Sequence, residues 1–117
     1  MEEFAILMRL DLLSEEAQPS PEQMQEYMKE YDRWIEEIVA KGQFKGGIGL
    51  SVEGKVLRSN SKIENGPYVS DKESLAGYIF VQAMDFAEAV SIAKKCPILQ
   101  GEGNSVEVRM IMGRDDR

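Results

Sequence analysis

Between Phe4 and Leu10 the chain alternates Phe4, Ile6, Met8 and Leu10 with Ala5, Leu7 and Arg9, a period of two that predicts a strand with one strongly apolar face. A polar stretch containing Pro19 follows and leads into a helix start. Ser20 is placed as N-cap, Pro21 takes the first helical position where its missing N–H costs nothing, and Gln23 stands where a capping box needs its third residue. Met24, Tyr27, Met28, Tyr31, Ile35, Ile38 and Val39 recur at helical spacing up to Gly42 and predict one long amphipathic helix. Gly46-Gly47-Ile48-Gly49-Leu50 is too glycine-rich for a helix and reads as a short strand whose backbone is closely approached. Lys55–Arg58 and Lys62–Glu64 read as a hairpin around Ser59-Asn60-Ser61, residues whose side chains bond their own backbone in turns.

The second half repeats this order. Gly77–Ala83 is aromatic and β-branched enough for a strand, and Asp85 with Glu88 three residues later marks a second helix, buried through Phe86, Ala89, Val90 and Ala93 and closed by Pro97. Val106, Val108, Met110 and Met112 then alternate with Glu107, Arg109 and Ile111 as a last strand, and residues 113–117 read as a frayed end. Two split βαβ units with an inserted hairpin predict an α+β ferredoxin-like plait over a single domain, 1–117, with both helices on one sheet face. Phe4, Ile6, Met8, Ile79, Val81, Val106, Val108 and Met110 are expected on that face. The other face carries Arg9, Tyr78, Phe80, Gln82, Glu107 and Arg109, a mixture that predicts a partner subunit or a pocket.

Charge narrows the partners. With 21 Asp and Glu against 14 Lys and Arg, phosphate backbones and anionic membrane surfaces are repelled on average, so nucleic acid is not an expected partner. The apolar runs are far shorter than the roughly 20 residues of a membrane span, and the chain starts without a secretory-type leader. One cysteine, Cys96, cannot form an internal disulfide, which fits a reducing cytoplasm. With no histidine, one cysteine and carboxylates at no calcium-loop spacing, neither a metal nor a cofactor is expected. Gly46-Gly47 and Gly101-Glu102-Gly103 lack the Lys-Ser or Lys-Thr of a phosphate loop. Cys96 reads as a small packing residue rather than a nucleophile, and Met24, Met28, Trp34 and the neighbouring tyrosines as core or interface filling.

Several separated motifs occur together: Pro19-Ser20-Pro21-Glu22, Gly46-Gly47 to Leu50, Asn65-Gly66-Pro67-Tyr68 with Lys72-Glu73, Cys96-Pro97, and Gly101-Glu102-Gly103 before Val106-Glu107-Val108-Arg109. In that order they resemble the YCII-related family, also called the DGPF-domain family, of the dimeric α/β-barrel superfamily. The family's Asp-Gly-Pro-Phe tetrapeptide is altered at both ends, with Asn65 for the acid and Tyr68 for Phe, and the acid often found two positions on is Ser70, followed by Asp71. Smaller members pair a histidine with an aspartate; no histidine exists here, so that dyad cannot operate. The resemblance implies a homodimer with a cleft under the barrel.

Two groups of residues are candidates for chemistry. Tyr68, Asp71 and Lys72, the candidate catalytic set, lie with Glu73 beside the rigid Gly66-Pro67 turn, where they would move protons or hold an anion, or else form a solvated surface turn. Arg9 on the first strand and Glu107 and Arg109 on the last, strands expected to be antiparallel neighbours, would bind a small carboxylate or enolate, or else form an ion pair that sets register or braces a dimer. With Glu73, Gly66 and Pro67 these are the candidate ligand-binding residues. The expected function is binding of a small anionic organic molecule in a cleft beside the sheet. Two alternatives stand: a cofactor-independent isomerase or lyase using Lys72, Asp71 or Tyr68, and a structural or regulatory protein-interaction module.

Overall fold

In a computed structural model that describes residues 1–113, the alternating segment forms strand β1, Glu2–Leu10, with Phe4 and Ile6 wholly buried. Helix α1, Pro21–Ala40, starts on the expected reciprocal box: Ser20 Oγ accepts from the Gln23 N–H at 3.1 Å and Gln23 Oε1 accepts from the Ser20 N–H at 2.8 Å. It ends where Gly42 takes a left-handed φ of 71°. There the Gln43 N–H reaches the Ile38 carbonyl and the Gly42 N–H the Val39 carbonyl, satisfying two carbonyls the helix leaves open. The buried residues of α1 are Trp34 and Ile38, with Tyr27, Tyr31 and Ile35 half-buried around them. Met24, Met28 and Val39, expected in the same stripe, stay exposed. Trp34 is buried because its indole N–H donates to the Ile92 carbonyl at 2.9 Å, so a large ring fills the inter-helix space with its polar atom satisfied.

Strand β2 is Phe44–Gly49, β3 and β4 are Lys55–Leu57 and Ile63–Asn65, β5 is Ser74–Ala83, helix α2 is Phe86–Ala93, and β6 is Ser105–Met110. Four strands pair antiparallel in the order β2-β5-β1-β6, while among the described residues β3 and β4 pair only with each other. With two helices this is an α+β fold compatible with a ferredoxin-like plait. The strand ends differ from expectation: β5 begins at Ser74 rather than Gly77, launched by a tight turn at Ser70–Glu73, and β6 stops at Met110. Residues 114–117 of the expected frayed end lie outside the described residues.

Glycine makes the β2–β5 pairing possible. A Cβ on Gly47 would stand 2.6 Å from Ile79 Cγ2, and one on Gly77 would stand 2.7 Å from the Ile48 carbonyl oxygen. The close approach expected at the glycine run is therefore made by β5. Helices α1 and α2 both cover one sheet face, where Phe4, Ile6, Ile79 and Val81 meet Trp34, Ile38, Ala89 and Ala93. Phe86, the first residue of α2, is edge-on to Phe4 at 4.9 Å yet remains 46% exposed, and Met110 is equally uncovered. Among the described residues no helix covers the opposite face. The molecule is a slab of 43 × 40 × 19 Å.

Candidate functional site

Strand pairing fixes which side chains share the uncovered face. Ala5 pairs with Phe80 and Arg109, Leu7 with Tyr78 and Glu107, and Arg9 with Ser105, so all of these point away from the helices. The aromatic part is continuous: the Tyr78 and Phe80 rings meet edge-on at 5.4 Å, and Ile48, paired with Tyr78 from β2, is 55% exposed. Beside it lies the polar part. Arg9 Nη1 donates to Glu107 Oε1 at 2.8 Å, and Arg109 Nη1 approaches the other oxygen of Glu107 at 3.4 Å. The predicted trio is thus one cluster, with the carboxylate between two guanidinium groups. The hydrogen bond from Arg9 holds the Glu107 carboxyl below its ordinary value, and Arg109 adds to the effect.

Glu73, the residue before β5, reaches the margin of this cluster through Ser105. It accepts a 2.6 Å hydrogen bond from Ser105 Oγ, and Ser105 is the residue opposite Arg9. Ser105 was legible as a site residue, since the alternation of Val106 and Val108 puts Ser105 on the Glu107 face, but a serine before a strand carries little signal by itself.

The other predicted residues lie elsewhere. Asp71 and Lys72 are the two central residues of a hairpin turn in which Ser70 and Glu73 exchange both backbone hydrogen bonds at 2.9 Å. Both adopt left-handed backbone, with φ of 51° and 67°, the pattern of a type I′ turn, and both are exposed. Tyr68 is 59% exposed with the Arg58 guanidinium 5.4 Å from its ring centre. Gly66, at φ 95°, and Pro67 form the joint between hairpin and sheet. That joint is held at two points: the Gly66 N–H donates to the Gly54 carbonyl at 2.8 Å, and the buried Ser74 hydroxyl donates to the Tyr68 carbonyl at 2.7 Å. The structure brings Glu73 to the arginine cluster and places Asp71, Lys72 and Tyr68 on the turn and joint.

Among the described residues, cavities occur on the helix side or at its edges, and the three best formed are not lined by Arg9, Glu107 or Arg109. The largest of these three, about 310 Å³, lies between the first half of α1 and the β1–β5–β2 sheet. Cys96 is buried and free, and burial pushes its thiol up to about 11, so it is not a thiolate nucleophile at neutral pH. Among the described residues no group of three His, Cys, Asp or Glu comes together as a metal site, and no helix is long and apolar enough to cross a membrane.

The family model of the YCII-related domain matches residues 4–112, nearly the whole described chain. The chain belongs to the YCII-related family. No curated protein matches it. In this YCII-related chain the Asn65-Gly66-Pro67-Tyr68 segment does structural work: Asn65 Oδ1 accepts from Lys55 Nζ across the hairpin, and the Tyr68 carbonyl anchors Ser74 at the head of β5.

Proposed function

We propose that this YCII-related protein is a homodimer that binds a small anionic organic molecule in a cleft beside the uncovered sheet face. The observation that carries the reading is the Arg9–Glu107–Arg109 cluster at the margin of an exposed aromatic surface. A guanidinium has five N–H donors, and Glu107 takes few of them. The remainder suit a planar carboxylate or enolate, with Glu107 orienting Arg9. A second copy facing this surface would cover Leu7, Tyr78 and Phe80 and close the two sheets into a barrel. Surface area supports it: the chain exposes 8446 Å², whereas a 13.2 kDa monomer is expected to expose about 6,400 Å². The excess, roughly 2,000 Å² per chain, is of the size that stable subunit interfaces remove. The exposed hairpin tip gives Asp71 and Lys72 no enclosed site, so binding is preferred over acid/base chemistry at that turn. The free, buried Cys96 fits a reducing cytoplasm.

Sedimentation velocity at micromolar concentration tests the dimer, and a thermal-shift series with small carboxylates, phenolics and lactones tests the ligand. A dimer that Phe80→Glu dissociates, and a carboxylate-induced rise in Tm that Arg9→Gln abolishes, are expected. A wild-type monomer overturns the dimer, and an undiminished carboxylate response in Arg9→Gln overturns the site.

A further inference from the structure

The cavity between α1 and the sheet has a chemistry opposite to that of the arginine cluster. Its wall includes Met8, Leu10, Met28 and Ile98, and no charged side chain lines it. The polar side chains in its lining are Tyr27 and Tyr31, whose rings stack at 6.2 Å. Neither hydroxyl has a hydrogen-bond partner among the described residues, and neither is sealed from solvent. Burial raises both phenols above their ordinary value, Tyr27 to about 12, so at neutral pH each is an uncharged donor. Gly49 supplies the opening. It shares the helix-side face with Gly47 on β2, and a Cβ built on it meets nothing within 4 Å. A side chain added there has room at the edge of the cavity, which Gly49 lines.

We propose that this cavity is a second binding site, for a small uncharged, mainly apolar molecule that carries one hydrogen-bond acceptor such as a carbonyl oxygen. At about 310 Å³ it holds a single-ring compound. The apolar wall takes the ring, and the two free phenols receive the acceptor, since an acceptor left unpaired against such a wall would lose its hydration without return. A carboxylate is excluded because no cation lines the wall to offset its desolvation. The two sites thus sort ligands by charge across the two faces of one sheet.

The test compares acetophenone with benzoate, which share a ring and a planar head group and differ in charge. Thermal shift and calorimetric titration at pH 7 are run on the wild type, Gly49→Leu and Arg9→Gln. Acetophenone is expected to bind the wild type and Arg9→Gln alike and to lose affinity at least about tenfold in Gly49→Leu, where the leucine fills the space. Tyr27→Phe together with Tyr31→Phe removes both donors with little loss of ring volume and is expected to weaken acetophenone in the same direction. Should Gly49→Leu fold poorly, that double variant decides the matter. Undiminished acetophenone binding in both variants, tighter binding of benzoate than acetophenone in Arg9→Gln, or no acetophenone binding at millimolar concentration overturns the proposal. Loss of a wild-type dimer in Gly49→Leu would make a second copy the occupant and would overturn it too.

Discussion

Arg9 on β1 and Glu107 on β6 are joined at 2.8 Å although they are not opposite one another in the ladder: Arg9 pairs with Ser105 and Glu107 with Leu7. The contact is diagonal, within the reach of a long side chain. It leaves the arginine free to be opposed by the smaller Ser105, which in turn is engaged by Glu73. The Arg9–Glu107 bond joins β1 to β6, and the Ser105–Glu73 bond extends the same polar margin to the residue before β5.

The pair gives little stability and a defined pH response. Both side chains are more than a third exposed, 35% and 39%, so Arg9→Gln should lower unfolding free energy by less than about 1 kcal/mol. Glu107 has its native value depressed, so its contribution is complete above the ordinary glutamate range and is lost as pH falls through the lowered native value. Urea unfolding from pH 7 down to acid should therefore show a wild-type advantage over Glu107→Gln that shrinks only below the ordinary glutamate range. A difference between the two proteins that is constant across that range would contradict the assignment.

Asp71 and Lys72 occupy backbone that asparagine and glycine prefer. Left-handed conformation costs an ordinary residue roughly 1–2 kcal/mol, partly offset when glycine raises the entropy of the unfolded chain. Replacing the pair by Asn-Gly should raise stability by about 0.5–1 kcal/mol and leave carboxylate binding unchanged. Thermal denaturation and the ligand series read the two outcomes, and a loss of carboxylate binding in the stabilised variant would return these residues to the site.

Gly77 faces the Ile48 carbonyl oxygen at a distance no Cβ tolerates. Because the obstruction is backbone, the strand must move. Gly77→Ala is expected to cost at least about 2 kcal/mol, in the range of overpacked cores, as measured by chemical denaturation. A change under about 0.5 kcal/mol would show that β2 detaches freely from β5.

Much of this fold was readable from residue order. The Ser20 and Asp85 caps, the alternation of β1 and β6 and the Ser59–Ser61 turn declare themselves locally, because each depends on side chains within a few positions. What was hidden depends on distant partners. Trp34 is central because Ile92 offers a carbonyl 58 positions away, which helical spacing does not encode. Arg9, Glu107 and Arg109 were visible as a face because strand parity places them there, whereas Glu73 entered the cluster only through Ser105. Asp71 and Lys72 appeared as a reactive pair because composition cannot distinguish an exposed type I′ turn from the rim of a cleft. Tyr27 and Tyr31 read as filling, since nothing in sequence shows that their hydroxyls lack partners.

Among the described residues the β3–β4 hairpin pairs with nothing but itself, and a two-stranded ribbon is marginal on its own in water. The chain is thus built from parts of unequal tenacity: a four-stranded body that opens only with the whole, and a ribbon free to melt and re-form at the far side of the Gly66–Pro67 joint. Amide exchange would register this as two clocks in one protein. The Ser59–Ser61 tip is accordingly the place where a label or an added loop would be tolerated, carried on the faster clock and silent to the slower one.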